Sequence, residues 1–452
     1  MASRNEWLTY HGSELSSEEG QCIPYLFLSN DVQASNARKV KVWLQGGVHG
    51  NEPAGDQSLL ALIGKLDRNQ TWASSLLQVM DIIILPRYNV DGVAYFQRTL
   101  ATNFDPNRDH VKLAREQTKS IKQLFNDFAP HVAVDMHEFT APTRYGGSYV
   151  HAADALFSAA KNLNIDSSIR SMSEELFAPA LGSALESAGL RWEPYVTGSS
   201  NSTPGSAIRF DEAGSDAKIG RNALGLTQCI AFLCEMRGIA LADQHFQRRT
   251  VTGLVMVESI LQTVIDNHQE VVQTVEGGVT SFVNSNDDII ITDSSPITDR
   301  TFQMIDVGNG SIVDAPIRFA STTPTIANLS RARPEAYIIP PAWSDIAERL
   351  RVNGLEVTVL EQPVIGIVET LNITTFEFED TYYEGVVPVV ITTSTMQKNV
   401  NLPPGYFYVS ARQRNAGLAF VALEPENVDS YVAFNIIPVE VGDEYPIYRV
   451  MR

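Results

Sequence analysis

The stretch Val40-Lys41-Val42-Trp43-Leu44 runs into Gly46-Gly47-Val48-His49-Gly50-Asn51-Glu52, and residues 53–66 then carry apolar side chains at helical spacing. That succession prescribes a buried strand, a sharp glycine-bearing turn and a helix with Pro53 at its favoured first position. It is the repeating unit of an α/β layer architecture. It also sets His49 and Glu52 three positions apart, beyond the carboxyl end of a strand, where open α/β sheets bind their ligands. Imidazole and carboxylate are zinc ligands, and a catalytic zinc site takes a third protein ligand while leaving room for water. An H-x-x-E pair alone is common, so its meaning depends on what else the chain supplies.

The same texture continues to about residue 270. Residues 82–85, 131–135 and 230–234 read as further buried strands, and 108–128, 155–188 and 246–268 as helices. The alternation predicts an α/β fold over 1–274, with a mixed, largely parallel central sheet flanked by helices. Beyond it, 279–283, 289–292, 354–360, 364–369, 385–393 and 406–409 are short β-rich runs separated by turn residues, with one amphipathic helix at 343–352. These predict a smaller, mostly β domain over 275–452. A chain of 452 residues is long enough for two cores.

The net charge of -19 argues against nucleic acid and anionic lipid, which both need basic surface. No stretch approaches the roughly 20 apolar residues of a membrane span. Three cysteines (Cys22, Cys229 and Cys234) are too few for a disulfide framework, and the odd count leaves at least one thiol free. Sequence that reads as folded begins within a few residues of Met1, consistent with a leader having been removed. With N-x-S/T triplets at Asn69, Asn201, Asn309, Asn328 and Asn372, this favours a secreted over a cytoplasmic protein. The sequence carries no signal for an oligomeric state.

A third ligand stands in Val134-Asp135-Met136-His137-Glu138, so His49, Glu52 and His137 offer two histidines and one carboxylate. Around them, in order, come Asn89-Val90-Asp91-Gly92, then Arg98, then Asp105-Pro106-Asn107-Arg108-Asp109, and late in the chain Phe232-Leu233-Cys234-Glu235-Met236-Arg237-Gly238. Over about residues 5–270 this series resembles the M14 zinc carboxypeptidase family, the carboxypeptidase A/B-like enzymes. Their order is H-x-x-E, N-P-D-G, an arginine, an N-R pair, a third histidine and a glutamate after a late strand.

The resemblance implies the family fold and one Zn2+ per chain, held by His49, Glu52 and His137. Asp105 would orient the first histidine, as outer-shell carboxylates do. Glu235 would be the general base toward zinc-bound water and then proton donor to the leaving amine. A glutamate among apolar strand residues is costly to bury without purpose; its structural alternative is an ion pair with Arg237. Arg98 would stabilise the developing oxyanion. Asn107 and Arg108 would clamp the substrate's terminal carboxylate, a task suited to the planar guanidinium fork.

The implied activity is that of a zinc-dependent metallocarboxypeptidase hydrolysing the C-terminal amide bond of peptides. The run His49-Gly50-Asn51-Glu52-Pro53-Ala54-Gly55 and the triplet Asp135-Met136-His137 also resemble the aspartoacylase and succinylglutamate desuccinylase branch, which implies N-acyl amino acid substrates. Chain length and the Glu235-x-Arg237-Gly238 ending favour the peptidase. A non-catalytic binding protein on the same fold is a third alternative, disfavoured by the intact ligand and base set.

The chain also departs from the family pattern. Ala213 stands about where the family has a substrate-contacting tyrosine, with Tyr195 or Tyr149 as alternatives. Residues 218–226 cover the family's specificity pocket. Arg221 there would bind an acidic side chain or a second carboxylate of the substrate, or else pair with Asp216. The cluster Asp211, Glu212 and Asp216 would instead favour basic substrates. Arg333-Pro334-Glu335-Ala336-Tyr337-Ile338-Ile339-Pro340-Pro341 resembles segments in the C-terminal extension of microbial members, and the β domain is expected to pack beside the cleft.

Overall fold

A computed structural model of the chain describes residues 1–30 and 38–452. Eight strands form the central sheet: β1 (Leu8–His11), β2 (Tyr25–Leu28), β3 (Val40–Gly46), β4 (Met80–Leu85), β5 (Val132–Thr140), β6 (Ala155–Ala159), β7 (Trp192–Pro194) and β8 (Ile230–Ile239). Their spatial order is β1-β2-β4-β3-β5-β8-β6-β7. The middle four, β4, β3, β5 and β8, are parallel neighbours, whereas β1, β2 and β6 join antiparallel. The sheet is therefore mixed with a parallel centre. Its middle strands are buried almost end to end, because helices cover both faces of a parallel sheet.

Helix α1 (Pro53–Arg68) begins immediately after Glu52 and turns Ala54, Leu59, Leu62, Ile63 and Leu66 inward. The glycines of the preceding turn have a packing reason. A Cβ on Gly50 would stand 1.9 Å from the main-chain carbon of Gly92, so only glycine at position 50 lets these loops touch. Asn89 caps the short helix Val90–Tyr95 through the Gly92 N–H and donates to the Thr99 carbonyl, which ties the turn to the loop carrying Arg98.

Several elements differ from expectation. Residues 155–188 contain strand β6 before any helix; Ala155–Ala159 is wholly buried, and a short buried apolar run has no period to separate strand from helix. The helical part follows as Ser167–Met172, Ser173–Phe177 and Ala178–Ser187. The helix expected from 108 forms only at Glu116–Phe128, preceded by a turn at Pro106–Arg108. β5 and β8 run past 135 and 234, so His137 and Glu235 lie inside their strands, in the carboxyl halves.

The largest difference is helix α2 (Phe246–Asn284), which continues past 268, with a kink at Asn267, and includes residues 279–283, expected as a strand. Val271, Val275 and Phe282 are buried at helical spacing, and that packing overrides the β propensity of the valines. Position 274/275 lies within this helix. At its end Phe282 packs against Phe420 at 6.1 Å between ring centres, and the Arg333 guanidinium lies over both rings at 4.6 and 5.1 Å.

The β-rich remainder includes a six-stranded sheet with the long hairpin Val364–Phe378 and Val389–Leu402. A five-stranded sheet interleaves Tyr149–His151, Val196–Thr197 and Arg209–Glu212 with Ile297–Asp306 and Ile312–Ala320. Of 354–360 only Thr358–Val359 is strand, and the helix expected at 343–352 forms as Ser344–Val352. One contiguous core joins Trp43 and Ile260 to Tyr337 and Phe420. All three cysteines are free, and among the described residues no helix is long and apolar enough to cross a membrane.

Candidate metal centre and active-site cleft

The strand-to-helix turn after β3 and the carboxyl half of β5 bring three donors together. His49 Nδ1 lies 2.7 Å from Glu52 Oε1, His137 Nδ1 lies 2.9 Å from Glu52 Oε2, and the two Nδ1 atoms are 3.1 Å apart. The back of each ring faces a carboxylate: His49 Nε2 is 3.0 Å from Asp105 Oδ1, and His137 Nε2 is 3.0 Å from Asp135 Oδ2. Outer carboxylates of this kind favour a proton on Nε2, which leaves Nδ1 of each ring, beside Glu52, as the atom that would face a metal. All five side chains are buried. Two imidazoles and a carboxylate with donor atoms within 4.8 Å of one another match the ligand chemistry of zinc.

The electrostatics follow from burial and proximity. Burial pushes Glu52 up, but the charges of His49 and His137 outweigh it and hold the carboxyl well below its usual range. Burial likewise opposes ionisation of Asp105, and the His49 hydrogen bond with the Arg98 charge reverses it. For His137, burial favours the neutral ring while Asp135 and Glu52 favour the cation, and the carboxylates prevail.

Glu235 stands beside this group, because β8 pairs with β5 in a register that sets Glu235 opposite His137. It is 7 % exposed and makes neither a hydrogen bond nor an ion pair among the described residues. Burial, then the charge of Glu52, pushes its carboxyl up to about 8. Arg237 does not pair with it; its guanidinium binds the His151 carbonyl instead. Arg98 donates to Asp105 Oδ2 at 3.0 Å and to Glu52 Oε1 at 3.2 Å.

The zinc carboxypeptidase family model matches residues 13–149. Carboxypeptidase 2 of Trichophyton tonsurans is 56% identical over 455 residues, covering 100% of this chain and 84% of that protein. Carboxypeptidase 2 of Trichophyton rubrum is also 56% identical, with the same coverage. The chain belongs to the M14 zinc carboxypeptidase family. A metallo-carboxypeptidase structure from Burkholderia cenocepacia aligns with a TM-score of 0.45 at 17% identity, over 58% of this chain and 66% of that one.

The family set lines a single cavity of 730 Å³, which holds His49, Glu52, Arg98, Asn107, Arg108, Arg221 and Glu235. Asn107 and Arg108 sit on the Pro106–Arg108 turn. Asn107 Oδ1 accepts the Gly220 N–H at 2.7 Å, and Arg108 donates to the Asn107 carbonyl at 2.7 Å without a carboxylate partner among the described residues. Arg221, on the short helix Gly220–Gly225, is buried at the cavity wall. It does not pair with Asp216, which holds Lys218 at 2.7 Å.

Ala213, spaced like the family's tyrosine, is buried, and its N–H donates to the carbonyl of Tyr195. Tyr195 itself lines the cavity, whereas Tyr149 belongs to a strand outside it. Burial and the Glu235 charge raise the Tyr195 hydroxyl.

Two contributors escaped the sequence reading. Asp135 shares a strand face with His137, so the two-residue period of β5 was signal enough. Glu384, from the β-rich region, accepts the Asp105 N–H at 2.9 Å, and its own carbonyl accepts from Lys112 Nζ at 2.8 Å. Nothing in local sequence links residue 384 to residue 105.

Proposed function

We infer that this chain is a zinc-dependent metallocarboxypeptidase that hydrolyses the C-terminal amide bond of peptides. One observation carries the reading: a buried, unpaired carboxyl, Glu235, lines a cavity with His49 and Glu52 of the convergent His49–Glu52–His137 set and with the unpaired cation Arg108. Base, metal ligands and an anchor for a free carboxylate are the parts this reaction needs.

Zinc held by His49, Glu52 and His137 would polarise the scissile carbonyl and acidify water. Glu235 accepts the proton from the attacking water and passes it to the leaving amine; burial raises its carboxyl and a bound dication would lower it, and the two together set one group to serve as both base and acid. Arg98, anchored by Asp105, sets a fixed positive charge for the oxygen that becomes negative. Arg108 pairs with the terminal carboxylate of the substrate. Asn107 donates to it through its amide nitrogen, since its oxygen is already engaged by Gly220. Tyr195 replaces the tyrosine missing at Ala213 as a substrate contact.

The cavity extends past these groups to Thr143, Tyr145 and Arg209, room that suits a peptide better than a short acyl group. Zinc-loaded protein should release the C-terminal residue of blocked dipeptides. Exclusive turnover of acetyl- and succinyl-amino acids would sink the peptidase reading. Exposed acceptor asparagines at Asn69, Asn201, Asn309 and Asn328 support secretion, which glycan mapping of the native protein tests.

A further inference from the structure

We propose that Arg221 makes this cleft selective for an acidic C-terminal residue, so that the enzyme removes aspartate or glutamate from peptide ends. The inference rests on the carboxypeptidase reading and names its substrate class.

The case is a charge audit of the cavity. Arg221 is 1 % exposed. One of its terminal nitrogens donates to the Gly214 carbonyl at 2.6 Å, its Nε makes no hydrogen bond, and among the described residues no carboxylate lies within 4.0 Å of the guanidinium. Burying a cation without a counter-ion is costly, and burial pulls this group below its usual range. A ligand carboxylate removes that cost.

Of the acidic groups nearby, Asp211, Glu212 and Asp216 are already engaged, while Glu235, whose charge also acts on Arg221, is the general base of the reading above and makes no ion pair with it. Asp216 holds Lys218 at 2.7 Å, and Asp211 holds Arg209 at 3.0 Å. Glu212 accepts from Ser321, Thr322 and Thr323 and lies 3.6 Å from Lys161. Asp293 stands half-exposed at the cavity wall. The cluster that would have favoured basic substrates is thus matched by the protein's own cations, while Arg221 is not matched.

Arg108 is the second unpaired cation. The two arginines are coupled through the 2.7 Å bond from the Gly220 N–H to Asn107 Oδ1, each partner adjacent in sequence to one of them. A C-terminal aspartate or glutamate carries two carboxylates and satisfies both. A neutral side chain leaves Arg221 bare, and a basic one meets like charge.

The test compares kcat/KM of the zinc-loaded full chain on blocked dipeptides differing only in a C-terminal Glu, Gln, Leu or Lys. Glu should exceed its uncharged isostere Gln by roughly 10²-fold, with Lys slowest. In Arg221→Gln the Glu-to-Gln ratio should collapse toward one, and Arg221→Lys should restore part of it, both checked for fold by circular dichroism and for zinc content. Calorimetry with glutarate, which requires no turnover, should show binding weakened at least about tenfold in Arg221→Gln. Equal rates on Glu and Gln peptides by wild-type enzyme, or glutarate binding unchanged in Arg221→Gln, would overturn the proposal while leaving the peptidase reading intact. Turnover of acyl-amino acids and of no peptide would overturn that reading, and the proposal with it.

Discussion

Glu384 reaches from the β-rich region to the Asp105 main chain, and Asp105 in turn backs His49. The turn bearing Asp105 is therefore clamped from the far end of the chain. Glu384 adopts a left-handed backbone with φ 46°, a conformation unfavourable for glutamate, so its surroundings hold it there. Glu384→Ala should weaken zinc affinity by up to about tenfold, the lower end of outer-shell effects, with little change in thermal stability. Glu384→Gln, which keeps an acceptor, should restore most of it. Chelator competition measures both, and an unchanged affinity in Glu384→Ala would show that the clamp does not reach the metal.

Glu235 makes no hydrogen bond or ion pair among the described residues, so in the zinc-loaded protein its removal should affect chemistry alone. Glu235→Gln should retain one zinc per chain and the wild-type melting temperature while kcat falls by roughly 10²- to 10⁴-fold. Metal analysis beside steady-state kinetics checks this. A variant with more than half of wild-type kcat would remove Glu235 from the mechanism.

The metal ligands were legible because imidazole and carboxylate at the carboxyl ends of apolar strands recurred in one order along the chain, although each piece alone is common. The start of α1 was legible from Pro53, whereas Asn89 stood out only as part of the family motif and its capping role came from the structure. What local pattern cannot reveal is pairing across the chain. Asp216 was available to Arg221 by proximity in sequence, yet Lys218 takes it, and Lys218 is fixed on its other side by Asp429 at 2.9 Å. The helix Ala416–Leu423 is buried on every side and offers no polar face to give it a period. Glu384 and Asp429 were hidden because their partners, Asp105 and Lys218, lie hundreds of residues away.

Zinc binding should strengthen as pH rises. In the metal-free protein His137 keeps its proton above the usual imidazole range, and zinc must displace that proton. Glu52, depressed, is already ionised and adds nothing above pH 5. The sign for stability agrees. The raised His137 value gives stabilisation fully present below pH 6.5 and lost as pH climbs through its folded-state value. Glu235, raised to about 8, adds a loss between about pH 4.5 and 8, while a bound dication draws its carboxyl back down. The gap in melting temperature between zinc-loaded and zinc-free protein should therefore widen from pH 5.5 to pH 8 in calorimetry. A constant gap would contradict the assigned ligands.

Behind the metal centre, Arg249 grips Glu138 through two nitrogens, at 2.7 and 3.0 Å, with both side chains almost wholly buried. Gly238 makes room for the pair, since a Cβ there would stand 1.8 Å from Glu138 Oε1. Glu138 faces away from its neighbour His137 on β5, while its N–H donates to Glu52 Oε2 at 3.0 Å, so the pair braces the ligand strand from behind. Arg249→Leu leaves a buried carboxylate alone and should cost about 3–5 kcal/mol of stability. The double change Glu138→Met with Arg249→Leu removes both charges and should recover much of that loss. Chemical denaturation of the three proteins, each saturated with zinc, separates the outcomes. A double variant no more stable than Arg249→Leu would mean that the pair acts through packing rather than charge.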